Sequence, residues 1–350
     1  MLAVLIVFAL SQVLLLACSG TESGPTPAPQ LTIGKDPGRI LALARSPEYN
    51  IDRTLFAGSA DGGVFRSSDG GRSWAQKNDG LTSAEVTSLV MSPGFGSDAT
   101  LFAGTNTRGV FRSTDGGDTW ERRAEGITSG SIANLAISPA FQTDKTLFGG
   151  SKLGGVFRST DAGGQWKMIG LAASNVVTLA VSPSFEIDRT VFAGTGRNGV
   201  FRSTDGGGTW VANEGLTGKF ASSLALSAAF EADGTVFVGT RSSGVFRSTD
   251  RGDSWTNTSR GIVKSAVKAL VTSPSFETDR VVFVATEGGG IFRSMDEGDK
   301  WEQVKQSFNS VNSLAISPAY DDDGTLFAAT GGGKVHLSND GGDSWEEFKP

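Results

Sequence analysis

The chain has 350 residues, 38% of them hydrophobic, 48 glycines and a formal net charge of -6. That balance lacks the basic excess that attracts nucleic acid or an anionic membrane surface, so no nucleic-acid partner is expected. One cysteine and one histidine exclude both an intrachain disulfide and the Cys/His cluster of a structural zinc site, while the glycine content marks many turns between short strands.

In chain order, Leu2 to Ala17 is almost wholly apolar and runs into Leu15-Leu16-Ala17-Cys18. Sixteen residues carrying Ser11 and Gln12 are short for a bilayer span and suit the apolar region of a signal peptide. Leu-Leu-Ala-Cys resembles the bacterial lipobox, which implies cleavage before Cys18 and a lipid on its thiol. The expected organisation is a signal peptide over 1–17, a lipidated Cys18 opening a disordered tether over 18–34, and a folded body over 35–350. Ser19 to Gln30, with three prolines and almost no apolar side chain, has the composition of such a tether. This reading places the protein outside the cytoplasm of a bacterium, held to the membrane through the lipid alone.

The body is organised by the repeat Ser-x-Asp-x-Gly-x-x-Trp. Its seven copies centre on Asp69/Trp74, Asp115/Trp120, Asp161/Trp166, Asp205/Trp210, Asp250/Trp255, Asp296/Trp301 and Asp340/Trp345, at Asp-to-Asp steps of 46, 46, 44, 45, 46 and 44. A second motif, Ser-Pro-x-Phe/Tyr-x-x-Asp, precedes each copy, as in Ser92 to Asp98; only the fifth loses its proline, at Ala228. Within one unit, turn residues punctuate four strands: Val176 to Ser182, Thr190 to Gly194, Gly199 to Ser203 and Thr209 to Asn213. Seven such meanders predict an all-β, seven-bladed β-propeller of four-stranded antiparallel blades with Asp-box hairpins. The first unit opens on an innermost strand and the last ends on an outermost one, which predicts closure without strand exchange. Leu31 to Ile33 is the one candidate for an added strand on the last blade.

The seven boxes are similar to those of the Asp-box (BNR-repeat) propellers, a superfamily that includes sialidases, sortilin-type receptors, two-propeller xyloglucanases and photosystem II assembly factors. The box needs no function to explain it: Asp accepts backbone N–H bonds in a tight hairpin, Gly takes a positive φ, and each of the seven Trp side chains is expected to bury a large apolar area between sheets. The sialidase resemblance implies a tyrosine nucleophile and an arginine trio. Tyr49 and Tyr320, the only tyrosines, both occupy the aromatic slot of the second motif. Arg66, Arg112, Arg158, Arg202, Arg247 and Arg293 recur at one repeat position and cannot converge on one substrate; an ion pair within each blade, with the repeated Asp of the second motif (Asp52, Asp98), is expected instead. His336 stands where other units place Phe, and Leu337 replaces the arginine in the last blade. Asp321-Asp322-Asp323 is the densest carboxylate run, read as a solvated loop rather than a calcium site.

No catalytic residue, metal or cofactor is therefore assigned, and a binding role toward a protein or glycan is expected. A glycoside hydrolase and an assembly or scaffolding factor are the alternatives. In a meander, alternate loops share an end, so both repeated motifs fall on one face and the variable second-to-third strand loops on the other. The candidate binding residues there are Asn106, Arg108, Lys152, Arg197, Asn198, Arg241 and Lys334, five of them cationic on an acidic chain.

Overall fold

The computed structural model describes residues 37–262, 266–305, 308 and 310–350. The expected signal peptide, Cys18, the tether and Leu31 to Ile33 lie outside those residues. Seven four-stranded antiparallel sheets follow one another along the chain, each strand pairing with the next. The first comprises Ile40–Arg45, Leu55–Ser59, Val64–Ser67 and Ala75–Gln76; the last comprises Val311–Ile316, Leu326–Thr330, Val335–Ser338 and Glu346–Phe348. This is the expected seven-bladed propeller.

Burial explains the composition of the strands. Each second strand, from Leu55–Ser59 to Leu326–Thr330, is buried along its whole length because neighbouring blades cover both faces. Their runs such as Leu-Phe-Ala-Gly-Thr therefore do not alternate. Outermost strands are short, as at Val211–Ala212, where both residues are exposed.

One repeated contact joins the blades into a ring. The second-strand Phe of each blade meets the second-motif aromatic of its neighbour edge to face: Phe56 on Phe95, Phe102 on Phe141, Phe148 on Phe185, Phe192 on Phe230, Phe237 on Phe276 and Phe283 on Tyr320. Phe327 on Tyr49, at 5.2 Å between centroids, closes the circle from the last blade to the first. Such a pair is worth about 0.5–1.5 kcal/mol beyond the area it buries. At this closing seam the sheets stay separate, as expected. Leu43 N donates to Ser313 Oγ (3.2 Å), Asn312 Nδ2 to the Ile40 carbonyl (2.8 Å), and Arg45 Nε to the Ile316 carbonyl. Ile40, Leu55, Phe327 and Leu337 share one apolar cluster across it.

Three details differ from the sequence reading. The second motif, read as a loop, contains one helical turn: Phe185–Asp188 is followed by Arg189 in the left-handed region at φ 52°. Its aspartate is fully engaged within that turn, since Ser182 Oγ donates to Asp188 Oδ2 (2.6 Å) and Thr190 N to Asp188 Oδ1 (2.8 Å). Among the described residues no ion pair joins the repeated arginine to that aspartate, and in most blades the arginine reaches out of its own blade. Arg66, Arg158 and Arg293 instead reach forward to the next blade's Asp box, donating to the carbonyls of Gly116, Gly206 and Gly341 at 2.8–2.9 Å. Carboxylates of that next box, Asp118 for Arg66 and Asp343 for Arg293, lie within 3.2 Å of the same guanidinium groups. Arg112 departs from this pattern, with its guanidinium over the Phe102 ring at 6.0 Å. Leu337 stands at the closing seam, where the apolar cluster replaces the arginine contact. Asp323 is held by Ser317 and Thr325 like its counterparts and needs no arginine.

The third difference corrects the expected enclosure of the box tryptophans. Trp120, Trp166 and Trp301 are buried, but Trp74, Trp210, Trp255 and Trp345 are only half-buried. The indole stands at the outer rim of the ring, where the connector arriving from the preceding blade must cover it. In four blades that connector, or the end of the outermost strand before it, accepts the indole N–H: Trp120, Trp166, Trp210 and Trp301 donate to the carbonyls of Lys77, Arg123, Ile169 and Thr258 at 2.6–3.2 Å. Trp74 faces the closing seam, which no interblade connector crosses among the described residues; its N–H turns back to the Gly71 carbonyl of its own box (2.8 Å), and the ring packs on the seam cluster alongside Phe348. Trp255 loses its latch for a different reason. The connector before it tightens into the 3-10 turn Glu214–Leu216, so the Asn213 carbonyl, the counterpart of Lys77 and Arg123, accepts from Leu216 N (3.2 Å) instead. The Trp255 N–H has no acceptor within the chain's described residues, and its ring rests against the cluster that contains Leu216.

Candidate functional site: two faces of the ring

The Asp box and the second motif form one rigid face. In the first blade Ser67 Oγ donates to Asp69 Oδ1 (2.8 Å) and accepts from Gly71 N (2.8 Å), while Arg72 N and Ser73 N donate to Asp69 Oδ1 at 3.0 and 2.9 Å. Partial burial pulls the Asp69 carboxyl upward, but the bonds from Ser73, Ser67 and Arg72 outweigh it and hold the group down at about 2. In the fourth blade the bonds themselves dominate, from the Thr209 amide, Ser203 and the Thr209 hydroxyl, and Asp205 also lies at about 2. Asp115, Asp250 and Asp340 reach the same value, and Asp161 and Asp296 are lowered. The two motifs are fastened together by one backbone bond per blade, as from Gly206 N to the Arg189 carbonyl (2.9 Å). A carboxylate stabilised by several donors in every blade is a structural device.

The opposite face carries the second-to-third strand hairpins. Their bases are fixed by a repeated device: Thr105 Oγ1 donates to the Gly109 carbonyl (2.9 Å) and accepts from Arg108 N (3.1 Å), with Gly109 at φ 78°. Thr195 holds Gly199 and Asn198 in the same way, and Thr240 holds Gly244 and Ser243. Only the tips vary. Arg108, Lys152, Arg197, Asn198 and Arg241 are exposed there. Asn106 is half-buried and tied down, donating to Glu85 (2.9 Å) and accepting from Ser131. Arg241 stacks over Phe220 at 5.3 Å, and Lys334 is paired with Glu347. The structure thus places all seven candidates on one face and distributes them around the ring, without converging them on a single point.

The two tyrosines, which a sialidase-type nucleophile would require, are occupied in the ring contact. Tyr49 is 2% exposed in the closing aromatic pair, and burial raises its phenol above the ordinary value. Burial likewise pushes Tyr320 up to about 12, which disfavours the phenolate a nucleophile requires. The central cavity, about 300 Å³, is lined by Thr87, Ala133, Val177, Ser222, Lys268 and Asn312 among others, and no carboxylate belongs to its wall. Hydrolysis by paired carboxylates has no pair there. In the Asp321 to Asp323 run, Asp323 is spent on Ser317 and Thr325; among the described residues no three His, Cys, Asp or Glu side chains group as metal ligands.

These features define a propeller scaffold that carries a repetitive structural face and a variable one. The family profile described as photosynthesis system II assembly factor YCF48 matches residues 94–349, and the chain belongs to that family. No curated protein matches it. Among solved structures, the chain is similar to YCF48 bound to D1 peptide, at 15% identity and TM-score 0.64 over 90% of this chain and 95% of that one. It is also similar to the GH74 xyloglucanase from Xanthomonas campestris, at 17% identity and TM-score 0.70 over 91% of this chain and 55% of that one. The GH74 enzyme of Niastella koreensis gives 18% identity and TM-score 0.72, over 89% and 54%. The chain thus spans about half the length of those GH74 enzymes, and at these identities the likeness is one of fold.

Proposed function

We propose that this propeller is a non-catalytic, exported and lipid-anchored assembly factor that binds a polypeptide partner through its variable-loop face. The observation that carries the reading is the division of labour between faces. The repeated polar residues are largely spent on holding blades and boxes together, as Asp69, Asp188 and Arg158 are, whereas the exposed tips differ from blade to blade on hairpin bases that share one geometry in several blades. Membership of an assembly-factor family supports it, as does the peptide carried by the related YCF48 structure. The exposed cations Arg108, Lys152, Arg197 and Arg241 favour an acidic segment in that partner. Export and anchoring rest on Leu15 to Cys18; Cys18→Ser would then release the protein from the membrane fraction.

The face assignment is tested by reversing Arg108, Arg197 and Arg241 to Glu and comparing partner capture from solubilised membranes with a matched set on the other face, Arg53, Lys145 and Arg189 to Glu. The reading expects loss confined to the first set, with capture by the unmodified protein falling as salt rises. Equal loss from both sets, or none from the first, contradicts it.

A further inference from the structure

The last blade departs from the latch between box tryptophan and connector in a way that neither Trp74 nor Trp255 does, because Phe308 of the connector reaches the indole and a cleft stays open among the described residues. Trp345 Nε1 turns back to the Gly342 carbonyl of its own box (2.8 Å), and the indole is left half-buried. The third-strand position that holds Phe in the other six blades holds His336, and the connector's Phe308 packs on it at 4.1 Å between ring centroids with the planes tilted by 43°. Trp345 meets the same Phe308 edge to face at 5.7 Å. A cleft of about 690 Å³ opens at this place, walled by Phe308, His336 and Trp345 and rimmed by Arg39, Lys305, Lys334 and Glu347.

We propose that this cleft binds an aromatic carboxylate, with the ring against the half-buried Trp345 indole, Phe308 and His336 backing it from their buried positions, and the carboxylate toward Arg39 and Lys305. Its volume lies within the range of small-molecule sites, which are about 300–1,000 Å³ and combine apolar walls with a few placed polar groups. The charge balance sets the sign of the ligand: three cations face one carboxylate, and Glu347 is already paired with Lys334. Among the described residues Arg39 has no carboxylate partner, and Lys305 lies over the Phe308 ring at 5.7 Å. The imidazole has no hydrogen bond within the chain's described residues, its nearest carboxylate oxygen lying 3.9 Å away on Glu347. A flat anion would cover the half-buried indole and neutralise the rim. Two sources share this chemistry, a free aromatic acid and the C-terminal aromatic residue of a polypeptide. The inference goes beyond the proposed partner surface and does not depend on the reading of the loop tips.

His336 is the only histidine, so its imidazole gives one magnetic-resonance signal from the full chain. Titration with 3-phenylpropionate, and separately with a hexapeptide ending in Phe with a free carboxylate, is expected to shift that signal saturably. Their amides should bind at least about tenfold more weakly, and Arg39→Glu combined with Lys305→Glu should weaken the acids by a similar factor at unchanged melting temperature. Equal affinity for the small acid and the peptide assigns the cleft to free aromatic acids; a peptide at least about tenfold tighter assigns it to a chain terminus. No saturable shift with either acid, equal binding of acid and amide, or indifference to the charge reversals overturns the proposal.

Discussion

Truncation of Phe327 to Ala tests how the ring is closed. Phe327 is fully buried, packs edge to face on Tyr49, and belongs to the apolar cluster shared by the first and last blades. Removing a buried Phe forfeits its transfer free energy and leaves a cavity, a cost of about 3–5 kcal/mol. The lost aromatic pair accounts for about 0.5–1.5 kcal/mol of that. Large domains lose about 2 °C of melting temperature per kcal/mol, so a drop of about 6–10 °C is expected. Phe237→Ala is the internal control, equally buried and paired with Phe276 at 5.7 Å rather than 5.2 Å. Because the closing seam repeats the internal packing, the two truncations should agree within about 1 kcal/mol in denaturant unfolding followed by tryptophan fluorescence. Tyr49→Phe keeps the ring in place and should cost less than about 1.5 kcal/mol, the net worth of one ordinary hydrogen bond. A Phe327→Ala effect below about 1 kcal/mol, with Phe237→Ala at full cost, would refute closure by aromatic packing.

Three further outcomes follow from the same geometry. Arg158→Ala removes a bond to the Gly206 carbonyl of the next blade and should destabilise by about 1.5–3 kcal/mol in urea unfolding, whereas Arg197→Ala on the open face should change stability by less than about 0.5 kcal/mol. Gly80 has φ 77° and a Cβ there would stand 2.1 Å from the Trp120 carbonyl oxygen, whereas Gly218 has φ 76° with nothing within 4 Å; both alanines carry the left-handed backbone cost of about 1–2 kcal/mol, and Gly80→Ala, which adds the clash, should lower the melting temperature clearly further than Gly218→Ala. The Asp205 carboxyl lies at about 2 in the folded chain and about 3.9 when unfolded, so its stabilisation is complete above pH of about 4 and is lost as pH falls through about 2. The stability gap between the unmodified chain and Asp205→Asn should therefore be wide at neutral pH and narrow toward pH of about 2; a gap independent of pH would contradict the assigned role.

The blade count was legible because each box supplies its own turn chemistry, so spacing alone marks the hairpins. The interblade contacts were not, because a sequence repeat cannot say whether a side chain points within its unit or into the next. Arg158 illustrates this: it recurs beside Phe157 in register with an aspartate of its own blade, yet it reaches Gly206. The tryptophans fail for the same reason. Trp74 and Trp255 carry the same box as Trp120, but what covers an indole is the preceding blade's connector, which lies outside the motif and differs in length and turn. Tyr49 and Tyr320 were placed correctly because they fill a slot that Phe occupies elsewhere, and that slot is the aromatic ring contact. The cleft at the last junction left a trace in the sequence, since His336 and Leu337 replace Phe and Arg together. Only the packing shows that Phe308 and the turned-back indole of Trp345 leave it open.

The face that meets the partner is the central claim, and hydrogen exchange of the propeller alone and with its captured partner reads it most directly. The account predicts added protection in the variable hairpins around residues 106–108, 152–153, 197–198 and 241–243, with the Asp-box hairpins unchanged. Protection confined to the boxes and the Ser-Pro-x-Phe/Tyr turns would contradict it.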